Sequence, residues 1–257
     1  MMPLSQSLIL GIIQGLTEVL PISSSGHLIL VPSLLGWDPH PLSFDAALHL
    51  GTALALVVWF SGDWRALLAA RRWRTIGAII LASAPVGLVG LLGAGFIEQN
   101  FRSPGLVAGA LAAGAVLMLL VEWFYQRGGD KREELTIPDI FTVALAQVFA
   151  LVPGISRSGI TILAGMGRKL TRASAARFSF LISLPVVFAA GIWELFSVYQ
   201  EELLLNDWKS FAIGIGTSFI VGLLAVKLLF GILNRFSLVP FAIYRIAVGV
   251  LILLTIA

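Results

Sequence analysis

Eight apolar stretches follow one another along this chain of 257 residues, and turn-forming residues interrupt two of them in the middle. A helix needs about 20 apolar residues to cross the hydrocarbon core of a bilayer. Only 12% of the residues are charged, whereas soluble proteins carry roughly 25%. The sequence therefore predicts a single all-α polytopic membrane domain over residues 1–257, with no separate soluble domain.

Six of the stretches are uninterrupted, and each predicts a transmembrane helix. They are residues 42–60, 75–97, 104–125, 173–198, 209–233 and 238–257. The other two, 5–31 and 138–167, contain PISSSG and PGISRSG. Because proline with clustered serine and glycine indicates a turn, each is predicted to be a re-entrant hairpin of two half-helices. Eight full spans are the alternative, which is disfavoured because the polar turns would have to cross lipid as ordinary helix.

The basic residues predict the orientation of these segments. If the loop at residues 65–74 is cytoplasmic, 14 of the 17 Lys and Arg residues fall on the cytoplasmic side. The other three are Arg102, Arg157 and Lys209. This distribution satisfies the positive-inside rule. In this arrangement the side chain of Arg245 extends toward the cytoplasm. Because the basic residues lie in short loops between apolar runs, nucleic acid is not expected as a partner.

A repeated motif divides the chain into two units. QGLTEVLPISSSG (14–26) aligns without a gap with QVFALVPGISRSG (147–159), and six of the thirteen positions are identical. Each hairpin is followed by three spans, so the two units, about 5–125 and 138–257, are predicted to form an inverted-topology repeat. Inverted repeats with broken helices place their turns together near the middle of the bilayer, where ligands bind.

The second turn predicts an anion-binding site. Arg157 lies at membrane depth, where a charged side chain costs at least about 2.5 kcal/mol and indicates a function. A guanidinium suits a pair of phosphate oxygens, and N–H groups at the start of a half-helix after Gly159 favour an anion. The other expected anion-binding residues of this turn are Gly154, Ser156, Ser158 and Thr161. In the alternative interpretation, Arg157 only pairs with Glu18 across the repeat interface.

The first turn predicts acid–base chemistry. Its polar side chains are Gln14, Glu18, Ser23, Ser24, Ser25 and His27. Carboxylate, hydroxyl and imidazole groups can activate a nucleophile or a water molecule and protonate a leaving group. Glu18 can instead hold a hard divalent cation such as Mg²⁺ or Ca²⁺. The alternatives are that the serines cap half-helices and that His27 is a hydrogen-bonded turn residue.

Three polar residues outside the turns are also candidates for a role. Asp45 and His49 are four residues apart on the first full span. In one interpretation they support the Glu18 site or contact a metal ion. In the other they form a pair at the end of a helix that faces water. Glu122 lies beside Trp123 near the end of a span, which is typical of an anchor at the membrane interface.

The two turn motifs, QGLTEVLPISSSGH and PGISRSGITI, and the segment ARFSFLISLP (176–185) resemble those of the undecaprenyl-pyrophosphate phosphatases of the bacitracin-resistance family. The similarity covers essentially the whole chain. It implies hydrolysis of undecaprenyl pyrophosphate to undecaprenyl phosphate and inorganic phosphate, which recycles the lipid carrier of cell-wall synthesis and confers bacitracin resistance. It also implies a divalent cation and a site that opens to the outside of the bacterial plasma (inner) membrane.

The resemblance implies roles for individual residues. Glu18 would hold the metal ion or act as a base, and Arg157 would bind the pyrophosphate. Ser24 or His27 would be the nucleophile or proton carrier. Further substrate contacts from the first turn would be Gln14, Ser23 and Ser25. Many members of the family have Glu at the position of Gln14, and because an amide cannot act as a base, these roles move to Glu18.

A transporter or flippase for a phosphorylated lipid or small anion is the alternative function, because inverted repeats with turns at mid-membrane are also transporter architecture. Binding alone does not require a carboxylate, a hydroxyl and an imidazole at one turn, which favours the enzyme. The expected partners are the lipid substrate and membrane lipids, and a homodimer is compatible with the sequence.

Overall fold

The structure, a computed structural model, describes residues 2–38, 40–200 and 207–256, and these residues form helices joined by short turns. The first half contains α1 (Leu4–Val19), α2 (Ser24–Leu35), α3 (Leu42–Trp59), α4 (Ser61–Ala69), α5 (Trp73–Leu81), α6 (Ala84–Phe101) and α7 (Pro104–Arg127). The second half contains α8 (Ile137–Phe149), α9 (Arg157–Gly167), α10 (Arg172–Gln200), α11 (Trp208–Leu233) and α12 (Val239–Ile256).

Among the described residues, five helical segments are long and apolar enough to cross a membrane. They are Leu42–Trp59, Trp73–Gly93, Pro104–Arg127, Arg172–Trp193 and Trp208–Leu233. The apolar part of α12, Val239–Leu254, is shorter than these. The prediction of an all-α polytopic membrane protein is therefore confirmed.

Both interrupted stretches fold as two helices separated by a turn. In the first, α1 ends at Val19 and α2 begins at Ser24. In the second, α8 ends at Phe149 and α9 begins at Arg157. The second helix of that pair starts at Arg157 and thus three residues earlier than the start after Gly159 that the sequence predicts.

The predicted span 75–97 is not one continuous helix. It is divided between α5 and α6 by a turn at Ala82 and Ser83. Pro85 occupies the first turn of α6, where a backbone N–H is not needed for helix hydrogen bonds. In the interior of a longer helix the same proline would remove a hydrogen bond and clash with the preceding turn, so α5 does not continue through Pro85. Because Trp73–Gly93 is still long and apolar enough to cross a membrane, the predicted span is present but contains a turn.

Two glycines bring α1 close to α11. A Cβ atom at Gly15 would lie 2.7 Å from Cβ of Val221, and one at Gly11 would lie 2.8 Å from Cβ of Thr217. Gly11 and Gly15 are four residues apart and therefore share one helix face. Small residues at this spacing allow membrane helices to approach through their backbones. This packing holds the helix that carries Glu18 against the second half of the chain.

Glu122 is a buried residue rather than an interfacial anchor, so that prediction was wrong. Its side chain is 1% exposed. The carboxylate accepts from Nε of Arg172 at 3.1 Å and from the backbone N–H of Leu238 at 3.2 Å. The residue thus joins α7 to the start of α10 and to the turn before α12. These hydrogen bonds offset the free-energy cost of burying the carboxylate charge.

Candidate active site

The two turns have the same local geometry. Ser23 has φ 76° and ψ 97°, and Ser156 has φ 73° and ψ 109°. Each serine Oγ accepts from the backbone N–H of the glycine three residues later, Gly26 at 3.4 Å and Gly159 at 3.1 Å. The capping interpretation therefore describes these two serines, and both glycine N–H groups are used within the turns.

Glu18 is the centre of the polar cluster between the turns. Its side chain is only 7% exposed. Oε2 accepts from the hydroxyl of Ser24 at 2.6 Å and from Nε2 of Gln14 at 3.2 Å, and Oε1 accepts from Nη2 of Arg157. A serine hydroxyl held by a carboxylate is the arrangement in which the carboxylate can remove the proton of a nucleophile.

Arg157 connects the second turn to this carboxylate, so the pairing alternative describes the structure. Its side chain is 14% exposed, and its guanidinium carbon lies 5.9 Å from the ring centre of Phe180. The other terminal nitrogen, Nη1, is buried and has no hydrogen-bond partner among the described residues. A buried donor without an acceptor is costly, and a phosphate oxygen would satisfy it.

Gln14 supports Glu18 and presents an unsatisfied oxygen. Its Nε2 also donates to the hydroxyl of Thr52 at 3.4 Å. Oε1 is buried and has no hydrogen-bond partner within the described part of the chain. The amide of Gln14 therefore orients the Glu18 carboxylate, while the Gln14 amide oxygen can still accept a hydrogen bond.

His27 does not contact Glu18 or Arg157 by any hydrogen bond in the part of the chain that the structure describes. Its Nδ1 lies 2.7 Å from the carbonyl oxygen of Ser23, and its Nε2 lies 2.8 Å from the hydroxyl of Tyr244. A carbonyl only accepts, so Nδ1 carries hydrogen, and the hydroxyl donates to Nε2 of a neutral imidazole. The interpretation of His27 as a hydrogen-bonded turn residue describes this arrangement.

The remaining residues predicted in the second turn have mainly structural contacts. The hydroxyl of Ser158 donates to the carbonyl of Leu20 at 3.3 Å, which links the two turns directly. The hydroxyl of Thr161 donates to the carbonyl of Arg157 at 2.7 Å and lies 2.5 Å from that of Ser179. Thr161 therefore fixes the helix that carries Arg157.

Gly154 occupies a position that excludes a side chain. Its φ is +100°, and a Cβ atom would lie 2.6 Å from the carbonyl oxygen of Val107. Glycine adopts positive φ without steric cost. The residue allows the second turn to pack directly on α7.

His49 is a neighbour of the Glu18 carboxylate, which agrees with the interpretation that it supports this site. Its Nε2 lies 3.3 Å from Oε2 of Glu18. Its Nδ1 lies 2.8 Å from the carbonyl oxygen of Asp45. The carboxylate of Asp45 pairs with Nε2 of His40 at 2.6 Å. Asp45 therefore reaches the site through its backbone and not through its charge.

Arg245 is placed between the two turns, so the prediction that it extends toward the cytoplasm was wrong. The side chain is 1% exposed. All of its described hydrogen bonds go to backbone carbonyls. They reach Leu111 at 3.3 Å, Pro21 at 3.4 Å, Gly154 at 3.0 Å and Ile155 at 2.9 Å. One guanidinium thus joins the first turn, the second turn and α7.

Sequence reasoning missed Arg245 and Tyr244 because α12 carries no turn motif and lies far along the chain from both turns. The available signal was Arg245 itself, a charge inside a segment predicted to cross the membrane, where charged residues are rare and usually functional. Proximity to the end of the helix favoured the wrong interpretation. Only the tertiary structure brings these consecutive residues to the two turns.

Comparison with known proteins identifies the family. Residues 7–251 match the family described as bacitracin resistance protein BacA. The chain belongs to the BacA family. It is 41% identical over 266 residues to undecaprenyl-diphosphatase 2 of Stutzerimonas stutzeri and 42% identical over 270 residues to undecaprenyl-diphosphatase of Geotalea daltonii, in both cases over 98% of each chain. It is 40% identical to undecaprenyl-diphosphatase of Nitrosococcus oceani over 95% of this chain and 96% of that one.

The resemblance to the BacA family implies a divalent cation, with Glu18 as the ligand that the sequence predicts. The residues around Glu18 do not fit a metal site held by the protein. Both carboxylate oxygens already accept hydrogen bonds, and the guanidinium of Arg157 beside them would repel a second cation. Across residues 2–38, 40–200 and 207–256, no group of three or more His, Cys, Asp or Glu side chains could hold a metal ion. Because Mg²⁺ and Ca²⁺ take at least six ligands, mostly oxygen, water and the phosphate oxygens of the substrate would have to supply most of them.

Proposed function

We propose that this chain hydrolyses undecaprenyl pyrophosphate to undecaprenyl phosphate and inorganic phosphate. Membership of the BacA family and the undecaprenyl-diphosphatase names of its relatives support this function. The observation that carries it is the Ser24–Glu18–Arg157 cluster, in which a hydroxyl, a carboxylate and a guanidinium with an unsatisfied donor meet in a buried site. The same names do not favour the transporter alternative.

In the proposed reaction, Arg157 binds the terminal phosphate and Ser24 is the nucleophile. The Nη1 donor takes a phosphate oxygen, and Glu18 Oε2 takes the hydroxyl proton of Ser24 as Oγ bonds to the terminal phosphorus. The bond between that phosphorus and the bridging oxygen breaks. Undecaprenyl phosphate then leaves with the bridging oxygen as an anion, so no acid is needed for its departure.

Water completes the cycle. Its oxygen bonds to the phosphorus on Ser24, the bond from phosphorus to Oγ breaks, and Glu18 returns its proton to Oγ. Inorganic phosphate leaves with both protons of the water molecule. Charge on the transferring group is stabilised by Arg157, since phosphoryl transfer depends mainly on positioning and electrostatics. His27, whose ring nitrogens are both engaged, fixes the first turn in this scheme.

The proposal includes the topology that the sequence predicts. Six spans and two re-entrant hairpins form an inverted repeat, with the site open to the outside of the bacterial plasma membrane. The equal geometry of the Ser23 and Ser156 turns supports the repeat. Ion pairs support the placement of two of the predicted cytoplasmic loops on one side of the membrane: Asp139 pairs with Arg132 at 2.7 Å and with Arg168 at 3.0 Å. The Asp139 carboxylate raises the pKa of Arg132.

We further propose that hydrolysis depends on Mg²⁺ or Ca²⁺. Because the carboxylate of Glu18 is already engaged, the scheme contains no step in which a protein-held metal acts. A single copy of the chain supplies both turns, so the scheme does not depend on a homodimer.

The test is phosphate release from undecaprenyl pyrophosphate by the detergent-purified protein, with and without EDTA. Glu18→Gln and Arg157→Ala are compared with the wild type, and Arg235→Gln, at an exposed position, is the matched control. We expect release by the wild type and the control, loss in both site variants, and inhibition by EDTA. A folded wild-type protein that binds the lipid without releasing phosphate would instead support the transporter.

A further inference from the structure

A cavity of about 380 Å³ lies beside the candidate site. Ser25 of the first hairpin and Pro153 of the second turn both line it, together with His49, Asp45 and Arg102. Apolar residues of α2, α3 and α10 form the other walls. Nε2 of His49 lies 3.3 Å from Oε2 of Glu18, so one residue of the cavity wall is a direct neighbour of the catalytic carboxylate.

Arg102 is the only Lys or Arg among the described residues that line this cavity. It follows α6 and its side chain is 32% exposed. Its Nη2 lies 3.6 Å from Oδ2 of Asp45, which is an ion pair but too long for a hydrogen bond. The other oxygen of Asp45 is held at 2.6 Å by His40. Asp45 is therefore a loosely paired neighbour of Arg102, and no described residue accepts a hydrogen bond from the Arg102 guanidinium.

We propose that Arg102 forms a second anion-binding site, which holds the pyrophosphate group of the substrate at the cavity before the terminal phosphate reaches Arg157. The inference rests on the proposed function and specifies how that site recruits its substrate. A pyrophosphate group presents two phosphates, and each is a better partner for a guanidinium fork than the loosely paired carboxylate. Phosphate oxygens replace Asp45 at Arg102, and Asp45 retains His40.

The proposal predicts that substitutions of Arg102 and Asp45 change the KM for undecaprenyl pyrophosphate in opposite directions. Arg102→Gln raises KM for undecaprenyl pyrophosphate about tenfold, as the loss of one charge-assisted hydrogen bond requires, with kcat little changed. Asp45→Asn lowers KM, because the competing carboxylate is removed while the shape of the side chain is kept. Lys209→Gln is the matched control, since Lys209 is the other basic residue predicted on the outer side, is exposed and does not line the cavity.

Direct binding of inorganic pyrophosphate to the same purified proteins, measured by isothermal titration calorimetry at two salt concentrations, separates this inference from the proposed function. We expect Arg102→Gln to weaken binding about tenfold and to reduce its salt dependence. If Arg102→Gln binds pyrophosphate more weakly but the wild type does not hydrolyse the lipid, the proposed function is overturned and the anion site is still supported.

Three results would overturn the anion site itself. The first is a wild type that does not bind pyrophosphate. The second is an Arg102→Gln variant with unchanged KM and unchanged pyrophosphate affinity, and the third is an Arg102→Gln variant in which only kcat falls. In each case active wild-type enzyme would leave the proposed function intact.

Discussion

Arg157, at the start of α9, donates to the carboxylate of Glu18, near the end of α1, and so pairs residues 139 positions apart in the chain. Both side chains are largely buried. Removing one member of a buried ion pair leaves an uncompensated charge, which is strongly destabilising. Activity and stability must therefore be measured together when either residue is changed.

Arg157→Lys is expected to reduce kcat about 10²-fold, although the charge is retained, because an ammonium cannot hold Glu18 and a phosphate oxygen in the same fork. The thermal midpoint in detergent should fall much less than in Arg157→Ala, which leaves Glu18 unpaired. Phosphate release and thermal unfolding of both variants provide the measurement, with Arg235→Lys as the matched control. Wild-type kcat in Arg157→Lys would contradict a bidentate role.

Ser24→Ala is expected to abolish hydrolysis, with a loss of at least about 10³-fold, because its hydroxyl is the nucleophile in the proposed scheme. Stability should change little, since Ser24 contributes one hydrogen bond to Glu18. Ser33→Ala, at an exposed position of α2, serves as the control. Rapid-quench experiments with substrate labelled in the terminal phosphate should trap label on the wild type but not on Ser24→Ala. Appreciable turnover by Ser24→Ala would instead make water the nucleophile.

The sequence repeat predicted the two turns and the meeting of Glu18 with Arg157, because both depend on local signals. Proline, glycine and clustered serine specify the turns, and the matching spacing indicates that the turns are equivalent. Roles at the first turn were less predictable. The partners of His27 are the carbonyl of Ser23 and the hydroxyl of Tyr244, and the latter comes from the far end of the chain.

Arg245 and Glu122 were misplaced because membrane sequence patterns do not distinguish a charge that extends to water from one that is buried among partners. Both lie near predicted span ends, where charged residues usually reach the interface. The partners of Arg245 are backbone carbonyls of distant segments, such as that of Gly154. Glu122 combines the side chain of Arg172 with the backbone N–H of Leu238. Backbone partners leave no trace in residue type, so only the packed structure reveals them.

Arg245→Met is expected to lower both the thermal midpoint and kcat, because four carbonyl oxygens of the turns and α7 lose their donor. Arg245→Lys should recover part of the stability but little of kcat, since one ammonium cannot reach all three segments. Gly114→Ala should have a similar effect, because a Cβ there would lie 2.0 Å from Nη2 of Arg245. Lys227→Met, at an exposed position, is the control. A stable but fully active Arg245→Met would exclude a positioning role.

Tyr244→Phe is expected to reduce kcat about three- to tenfold with little change in stability. The variant removes the hydroxyl that donates to His27 but keeps the parallel ring contact, whose centres are 5.7 Å apart. One lost hydrogen bond is worth about 1 kcal/mol, and here it lets the first turn move relative to Arg157. Steady-state kinetics and thermal unfolding provide the measurement. Equal losses in Tyr244→Phe and Tyr244→Ala would show that the hydroxyl carries the effect, whereas wild-type kcat in Tyr244→Phe would leave only the ring contact.

Gly15→Leu is expected to destabilise the protein, because its side chain would enter the space occupied by Val221 on α11. Overpacking of a close helix contact costs about 1–3 kcal/mol, and the shift of α1 would carry Glu18 away from Arg157. Gly109→Leu is the matched control, since no atom lies within 4 Å of a Cβ at Gly109. Combining Gly15→Ala with Val221→Gly, which removes the Cβ that would lie 2.7 Å away, should restore part of the stability lost in Gly15→Ala alone. The measurements are the thermal midpoint and the phosphate release of each variant, and additive losses in the double variant would contradict direct contact between α1 and α11.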